Sequence, residues 1–168
     1  MNPDIAQRLT ELGIDLPSPP PPRFQYVAAT RLDDLVFFSG RTPIVDGIVA
    51  YPGRLGESVS LEDGRLAARI ATINLLAAIE QELGLENVGR ILKLTGFVAS
   101  GDGFTDQPKV IDAASSLLGE VLGEAGRHAR SAVGVAWLPG NAAVEVEAIV
   151  HGLSSGQLSS GQLAEATS

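Results

Sequence analysis

The chain has no cysteine among its 168 residues, which excludes disulfides, thiolate metal sites and a cysteine nucleophile. Aromatic residues make up only 5%, so a core has to be assembled from Ala, Val, Leu and Ile. Basic residues are scarce beside acidic ones, 12 Lys and Arg against 20 Asp and Glu, for a net charge of −8. That balance argues against nucleic acid as a partner, because such binding rests on cationic side chains neutralising phosphates. It argues equally against an anionic membrane surface. No apolar run is long enough to span a bilayer, and Met1-Asn2-Pro3-Asp4 lacks the basic and apolar regions of a secretion signal. The expectation is a soluble cytoplasmic protein with one globular domain, hydrophobic residues at 45% being enough for its core.

What is there divides into three stretches. Residues 1–23 read as a short helix and a proline-rich arm. Asn2 is placed to cap the helix, Ile5, Leu9 and Leu12 share its apolar face, and Gly13 stops it. The prolines from Pro17 to Pro22 predict a stiff extended segment. Residues 24–151 carry the patterned part of the chain. Residues 152–168 hold Ser-Ser-Gly-Gln-Leu twice over, a low-complexity tail.

Within the patterned part, strands are predicted over residues 24–29 and 35–39, the second entered through Asp33-Asp34 and ended by Gly40. Residues 41–57 read as loop with at most one hairpin strand. Ser60 opens the first long helix, with Asp63 as a weak capping box. Leu66, Ile70, Ile73 and Ala77 form its apolar stripe, and Gly84 ends it. Asn74, near that face, is expected to make a buried hydrogen bond. A strand over residues 91–98 follows, then a second long helix from about Pro108 with Val110, Ala114, Leu117 and Val121 on one face. The segment from His128 to Val150 reads as two strands joined by a turn at Pro139-Gly140. In the last strand Val144, Val146, Ala148 and Val150 point one way, Glu145 and Glu147 the other. The order predicts an α+β domain, two long helices packed on one face of a mixed sheet, with an added N-terminal helix. The uncovered face carries Ala, Val, Phe and Trp among few charges and needs covering, which predicts an oligomer.

Two charged residues of the closing segment stand out, a cation and a carboxylate placed to face one small pocket. Arg130, at the mouth of an apolar strand, offers a rigid fork for a carboxylate; a salt bridge to Glu145 or to a neighbouring subunit is the alternative. Glu145 is suited to activating water if burial raises its pKa, and is otherwise a solvated strand carboxylate. Tyr26 is either a ligand contact or part of an interface. Ser39 and Gly40 present a hydroxyl and a backbone N–H, or simply end a strand. His128 and His151, the only histidines, lack partners at metal-ligand spacing, so neither a metal nor another cofactor is expected.

At His128-Ala-Arg-Ser, Leu138-Pro139 and Val144-Glu-Val-Glu-Ala148 the chain resembles the RidA/YjgF family, also labelled endoribonuclease L-PSP. Tyr26, Phe38-Ser39-Gly40 and Asn74-Leu75 fit the same pattern, and the likeness covers about residues 24–151. The front helix and proline arm resemble a divergent, YjgF-like branch. The resemblance implies a chorismate-mutase-like fold and a homotrimer with clefts between subunits. It implies hydrolysis of reactive enamines and imines to 2-keto acids and ammonia. Arg130 would clamp the substrate carboxylate, Glu145 would orient and deprotonate water, Tyr26 would close the pocket, and Ser39 with Gly40 would add polar contacts. His128 stands where the family has Pro and Ala132 where it often has Cys, while Asp112 falls near the family's pocket Asn.

Three functions are thereby weighed: an enamine/imine deaminase, a non-catalytic trimer binding a small carboxylate, and an endoribonuclease. Retention of Arg130 and Glu145 favours the first, the acidic group at Asp112 favours the second, and the acidic composition counts against the third.

Overall fold

Ser60 sets the start of the main helix by ordinary capping chemistry. Its Oγ accepts the Asp63 backbone N–H at 3.0 Å, and its hydroxyl donates to the Asp63 carboxylate at 2.7 Å. Helix α2 runs from there as Leu61–Glu82, and the Gly84 N–H closes its end on the carbonyls of Ile79 and Glu80. In this computed structural model residues 3–19 and 25–153 are described. The Asn2 cap, the prolines at 20–22, Phe24 and the repeated tail lie outside them.

The remaining elements are α1 (Pro3–Glu11), β1 (Ala29–Leu32), β2 (Leu35–Arg41), β3 (Ile44–Val45), β4 (Ile48–Val49), β5 (Val88–Ala99), α3 (Gln107–Leu122), β6 (Ala129–Val135) and β7 (Val144–Gly152). The main sheet has the order β1-β2-β7-β5-β6, antiparallel except for the parallel β5–β6 pair. Helices α2 and α3 cover one face and meet the strand residues that alternate inward, among them Leu94, Val98, Val144, Val146 and Val150, all fully buried. Helix α1 lies on α3, burying Ile5 and Leu9, and Arg8 donates to the Val121 carbonyl at 3.3 Å. The fold is α+β with a mixed sheet, as expected.

Four readings are corrected. The closing strands are not a hairpin: β5 lies between them, pairing Leu94 with Arg130 in parallel and Phe97 with Glu145 antiparallel. The β5–α3–β6 stretch is a crossover unit whose second strand must run parallel to the first. The stretch through Pro139 and Gly140 therefore carries the chain past β5 before β7 begins. The buried face of α2 is not the Leu66–Ile70–Ile73–Ala77 stripe. Ala67, Ala68, Ala71, Leu75, Ala78 and Ile79 face the sheet, while Leu66 is 41% exposed and only Ala77 of the predicted four is buried. Small side chains let this helix sit close to the strands, and alanines carry little weight in a hydrophobic pattern.

The first strand begins later than predicted, because the Asp33-Asp34 turn draws Ala29–Leu32 into register with β2, Leu32 opposite Leu35 and Ala29 opposite Phe38. Tyr26 therefore sits in a bend ahead of the strand. The loop after β2 holds two short strands, β3 and β4, joined by Asp46-Gly47 at φ 51° and 80°, the left-handed pair a tight hairpin requires. By contrast, the Val110, Ala114, Leu117 and Val121 face of α3 is fully buried as read.

Candidate active site

The outer face of the sheet is set by strand alternation. Phe37, Lys93, Thr95, Phe97, Ser131, Val133, Glu145, Glu147 and Ile149 share it through direct cross-strand pairs. Phe37 and Val133 remain exposed. A shallow hollow of about 140 Å³ is lined there by Phe37, Lys93, Thr95, Glu147 and Ile149, among others. Lys93 closes one side by donating to Ser131 at 2.7 Å.

Glu145 lies on this face. Its carboxylate rests against the backbone of Gly40, so that a Cβ there would collide with Oε1. It makes no hydrogen bond or ion pair among the described residues. Burial, and secondarily the charge of Glu147, raises its pKa above the ordinary carboxylate range. Ser39, next in the chain, uses its hydroxyl to donate to the Val27 carbonyl at 2.7 Å and its N–H to donate to the Ala28 carbonyl at 3.0 Å. Those bonds hold the bend that presents Tyr26, 53% exposed. Glu145, Gly40 and Ser39 thus lie together, while Tyr26, in the bend Ser39 holds, is an electrostatic neighbour of Arg41.

Arg130 lies apart from them. It pairs with Leu94, three residues before Phe97, and so points to the opposite face of the sheet from Glu145. Its Nη1 donates to Asp112 at 2.7 Å and to Ser115 Oγ at 3.0 Å, both on α3. Ser115 Oγ, occupied by that donor, gives its own hydrogen to His128 Nε2 at 3.0 Å, and His128 Nδ1–H donates to the Gly126 carbonyl at 2.6 Å. The Gly126 carbonyl fixes a hydrogen on Nδ1, and the neutral ring is the form in which Nε2 accepts from Ser115. It agrees with a His128 pKa lowered by burial and, more weakly, by Arg130 against the Gly126 bond.

Within a single chain, then, Arg130 and Glu145 do not face one pocket. Nor does Arg130 bridge to Glu145, since its partner is Asp112. The spacing along the chain could not reveal this, because the residues lie on separate strands with β5 between them. Asn74 makes a hydrogen bond as foreseen, though partly rather than fully buried, donating to the carbonyls of Thr42 and Ile44 at 2.9 and 3.0 Å. Among the described residues no three His, Asp or Glu side chains converge as metal ligands, and no helix is long and apolar enough to cross a membrane.

Two contributors escape sequence reading. Ser115 is one, although its place three residues after Asp112 puts both on one face of α3. Arg41 is the other. A bulge between Phe38 and Arg41 sets it opposite Val146, on the helix side, with Nε and Nη2 buried and without hydrogen-bond partners among the described residues. Burial lowers its pKa, countered by Tyr26 and Glu82.

The chain is thus an α+β domain whose sheet carries Glu145 on its outer face and Arg130 on its helix-covered face. The family model described as "YjgF/chorismate_mutase-like, putative endoribonuclease" matches residues 6–150, and the chain belongs to that family. It is 41% identical over 149 residues to Protein TCP17 of Trypanosoma cruzi, covering 88% of this chain and 93% of that protein. Among solved structures it is similar to Atu1372 of Agrobacterium tumefaciens, a protein of unknown function. That match has 43% identity and a TM-score of 0.83 over 88% of this chain and 92% of the other. A more distant likeness is to TdcF of E. coli with bound serine, at 26% identity and a TM-score of 0.58 over 80% and 93% of the two chains.

Proposed function

We propose that this protein is a RidA-type deaminase, active as a homotrimer in the cytoplasm, that hydrolyses 2-enamino and 2-imino acids to 2-keto acids and ammonia. The observation that carries the reading is the Glu145 carboxyl, half-buried on Gly40 with no ion pair among the described residues and a raised pKa. Such a group keeps its proton to higher pH than an ordinary carboxyl and can exchange it with substrate. As an acid it gives a proton to C3 of the enamine, forming the iminium. As a carboxylate it takes a proton from water while the oxygen bonds to C2 and the C=N π pair moves to nitrogen; it then gives that proton to the amine and takes the hydroxyl proton as C2=O forms and the C2–N bond breaks to release ammonia.

Arg130 binds the substrate carboxylate through the Nε and Nη2 edge that Asp112 and Ser115 leave open. Because Arg130 and Glu145 lie on opposite faces of the sheet, the complete site takes the Arg130 group from one copy and the Glu145 group from the next. The outer face, where Phe37 and Val133 stay exposed among polar neighbours, supplies the surface for that assembly. Serine bound to the similar TdcF supports a ligand of amino-acid size.

The test is release of 2-keto acid from enzymatically generated 2-aminoacrylate, by wild type, Arg130→Ala and Glu145→Gln. Acceleration by wild type that both substitutions remove supports the reading. If wild type gives no acceleration while a small carboxylate still binds at Arg130, the protein is a binding trimer instead, a reading favoured by the Arg130–Asp112 ion pair. RNA cleavage by a nuclease-free preparation that survives Arg130→Ala would point to the endoribonuclease of the family's description.

A further inference from the structure

Lys93 has an unexpected partner. It stands on the outer face of β5, opposite Ile149 of β7 and Ala129 of β6. Its diagonal neighbours on that face are Glu147 on one side and Ser131 on the other, both within reach of a long side chain. The ammonium donates to the neutral hydroxyl, Ser131 Oγ, at 2.7 Å. Glu147 makes no hydrogen bond or ion pair among the described residues. Thr95 pairs directly with both Glu147 and Ser131, and the hollow of the outer face is lined by Lys93, Thr95 and Glu147 together.

The consequence falls on Glu145. It shares its face with Glu147 on the same strand, where each like charge opposes the other's ionisation. Around these carboxylates β5 presents Phe97, Thr95 and Lys93, β6 presents Ser131 and Val133, and β2 presents Gly40 and Phe37. His151 and Arg90 pair at the far end of the strands, while Arg41 and Arg130 lie on the helix side. Lys93 is thus the cation placed to offset the two carboxylates, and Ser131 holds it away from them. Burial and the charge of Glu147 are what raise the Glu145 pKa, in agreement with that placement.

We propose that Ser131 is a latch that withholds Lys93 from Glu147, leaving Glu145 and Glu147 as an uncompensated carboxylate pair in which Glu145 retains the proton. The latch rests on the reading of Glu145 as the proton carrier. Ser131 and Lys93 touch no reacting atom; they are positioning residues that act through Glu147. Rotation of the Lys93 ammonium from the hydroxyl to the Glu147 carboxylate would offset that charge and release the Glu145 proton to solvent.

Carboxyl titration by NMR of the intact protein with isotope-labelled glutamate tests this independently of activity, Glu145 being assigned from Glu145→Gln. Ser131→Ala frees Lys93. At a fixed pH above the wild-type midpoint, the protonated fraction of Glu145 is expected to fall about threefold, the scale of one charge offset on a neighbouring residue at water-like dielectric. Glu147→Gln should give a fall of similar size. Ser131→Ala combined with Lys93→Met should return the Glu145 curve toward that of wild type, which a merely structural role for the hydroxyl would not do. An unchanged Glu145 curve in Ser131→Ala or in Glu147→Gln, or a double variant that follows Ser131→Ala, overturns the latch and leaves the deaminase reading standing. The expected pattern in a protein that releases no 2-keto acid upholds the latch and overturns that reading. An ordinary glutamate midpoint for Glu145 in wild type overturns both.

Discussion

The Gly40 backbone lies directly beneath the Glu145 carboxylate, close enough that no Cβ fits between them. The contact is made to the mobile end of the glutamate, so Gly40→Ala need not disturb the fold. It should instead push the carboxylate from its seat. Stability should change by less than about 1 kcal/mol, while 2-keto acid release drops about 100-fold, the effect of roughly an ångström of misplacement at a reacting group. Thermal melts beside initial rates separate the two. A large loss of stability with normal activity per folded molecule would contradict the assignment.

Glu145 also makes stability depend on pH. Burial first, and Glu147 second, raise its pKa in the folded chain. Between the ordinary glutamate value, about 4.3, and the raised one, the native state binds more protons than the unfolded state. Stability is therefore lost as pH rises through that interval. Glu145→Gln lacks this loss. Its stability relative to wild type should climb from acid toward neutral pH and then level off, as followed by denaturant midpoints. The same variant should lose at least about 100-fold in deamination.

His128 has the opposite sign. Its folded pKa lies below the unfolded one, so the stability it contributes is present above about pH 6.5 and falls away as pH drops through the folded value. Protonation places a donor where Nε2 accepts from Ser115, beside the Arg130 guanidinium. The expected result is a weakening of ligand binding on acidification that is steeper in wild type than in His128→Gln. Parallel titrations of the two proteins should show this, and identical pH profiles would remove His128 from the network.

These residues also mark how far the sequence could be read. The buried face of α3 was visible because Val110, Ala114, Leu117 and Val121 repeat at helical spacing, and the inward face of β7 because its valines alternate with Glu145 and Glu147. The face of α2 was not, since its packing surface is built mainly from alanine. The pairing of β6 with β5 was hidden for another reason: the short Pro139-Gly140 connection looks like a hairpin turn, and only the crossover through α3 makes β6 parallel. Arg130 and Glu145 could be picked out as chemically active, but their placement on opposite faces depends on the register of two strands with a third. The Asp112–Arg130 and Ser115–His128 contacts likewise arise from packing of α3 on β6, which no linear motif encodes.

Asn74 supplies the last prediction. From α2 it reaches the carbonyls of Thr42 and Ile44 with one amide nitrogen, tying down the chain just after Gly40 and Arg41. Asn74→Ala would leave both carbonyls without that donor, at a cost of about 1–3 kcal/mol, measurable by chemical denaturation. The segment it anchors carries the floor beneath Glu145, so activity should decline as well, and through kcat more than KM, because Arg130 lies elsewhere. Asn74→Asp should be at least as damaging, since a carboxylate opposite two carbonyl oxygens can donate only when protonated. A variant restoring the amide, Asn74→Gln, should recover part of the loss, which would separate the hydrogen bonds from mere side-chain volume. If Asn74→Ala left both stability and kcat intact, the link from helix to site floor would be wrong.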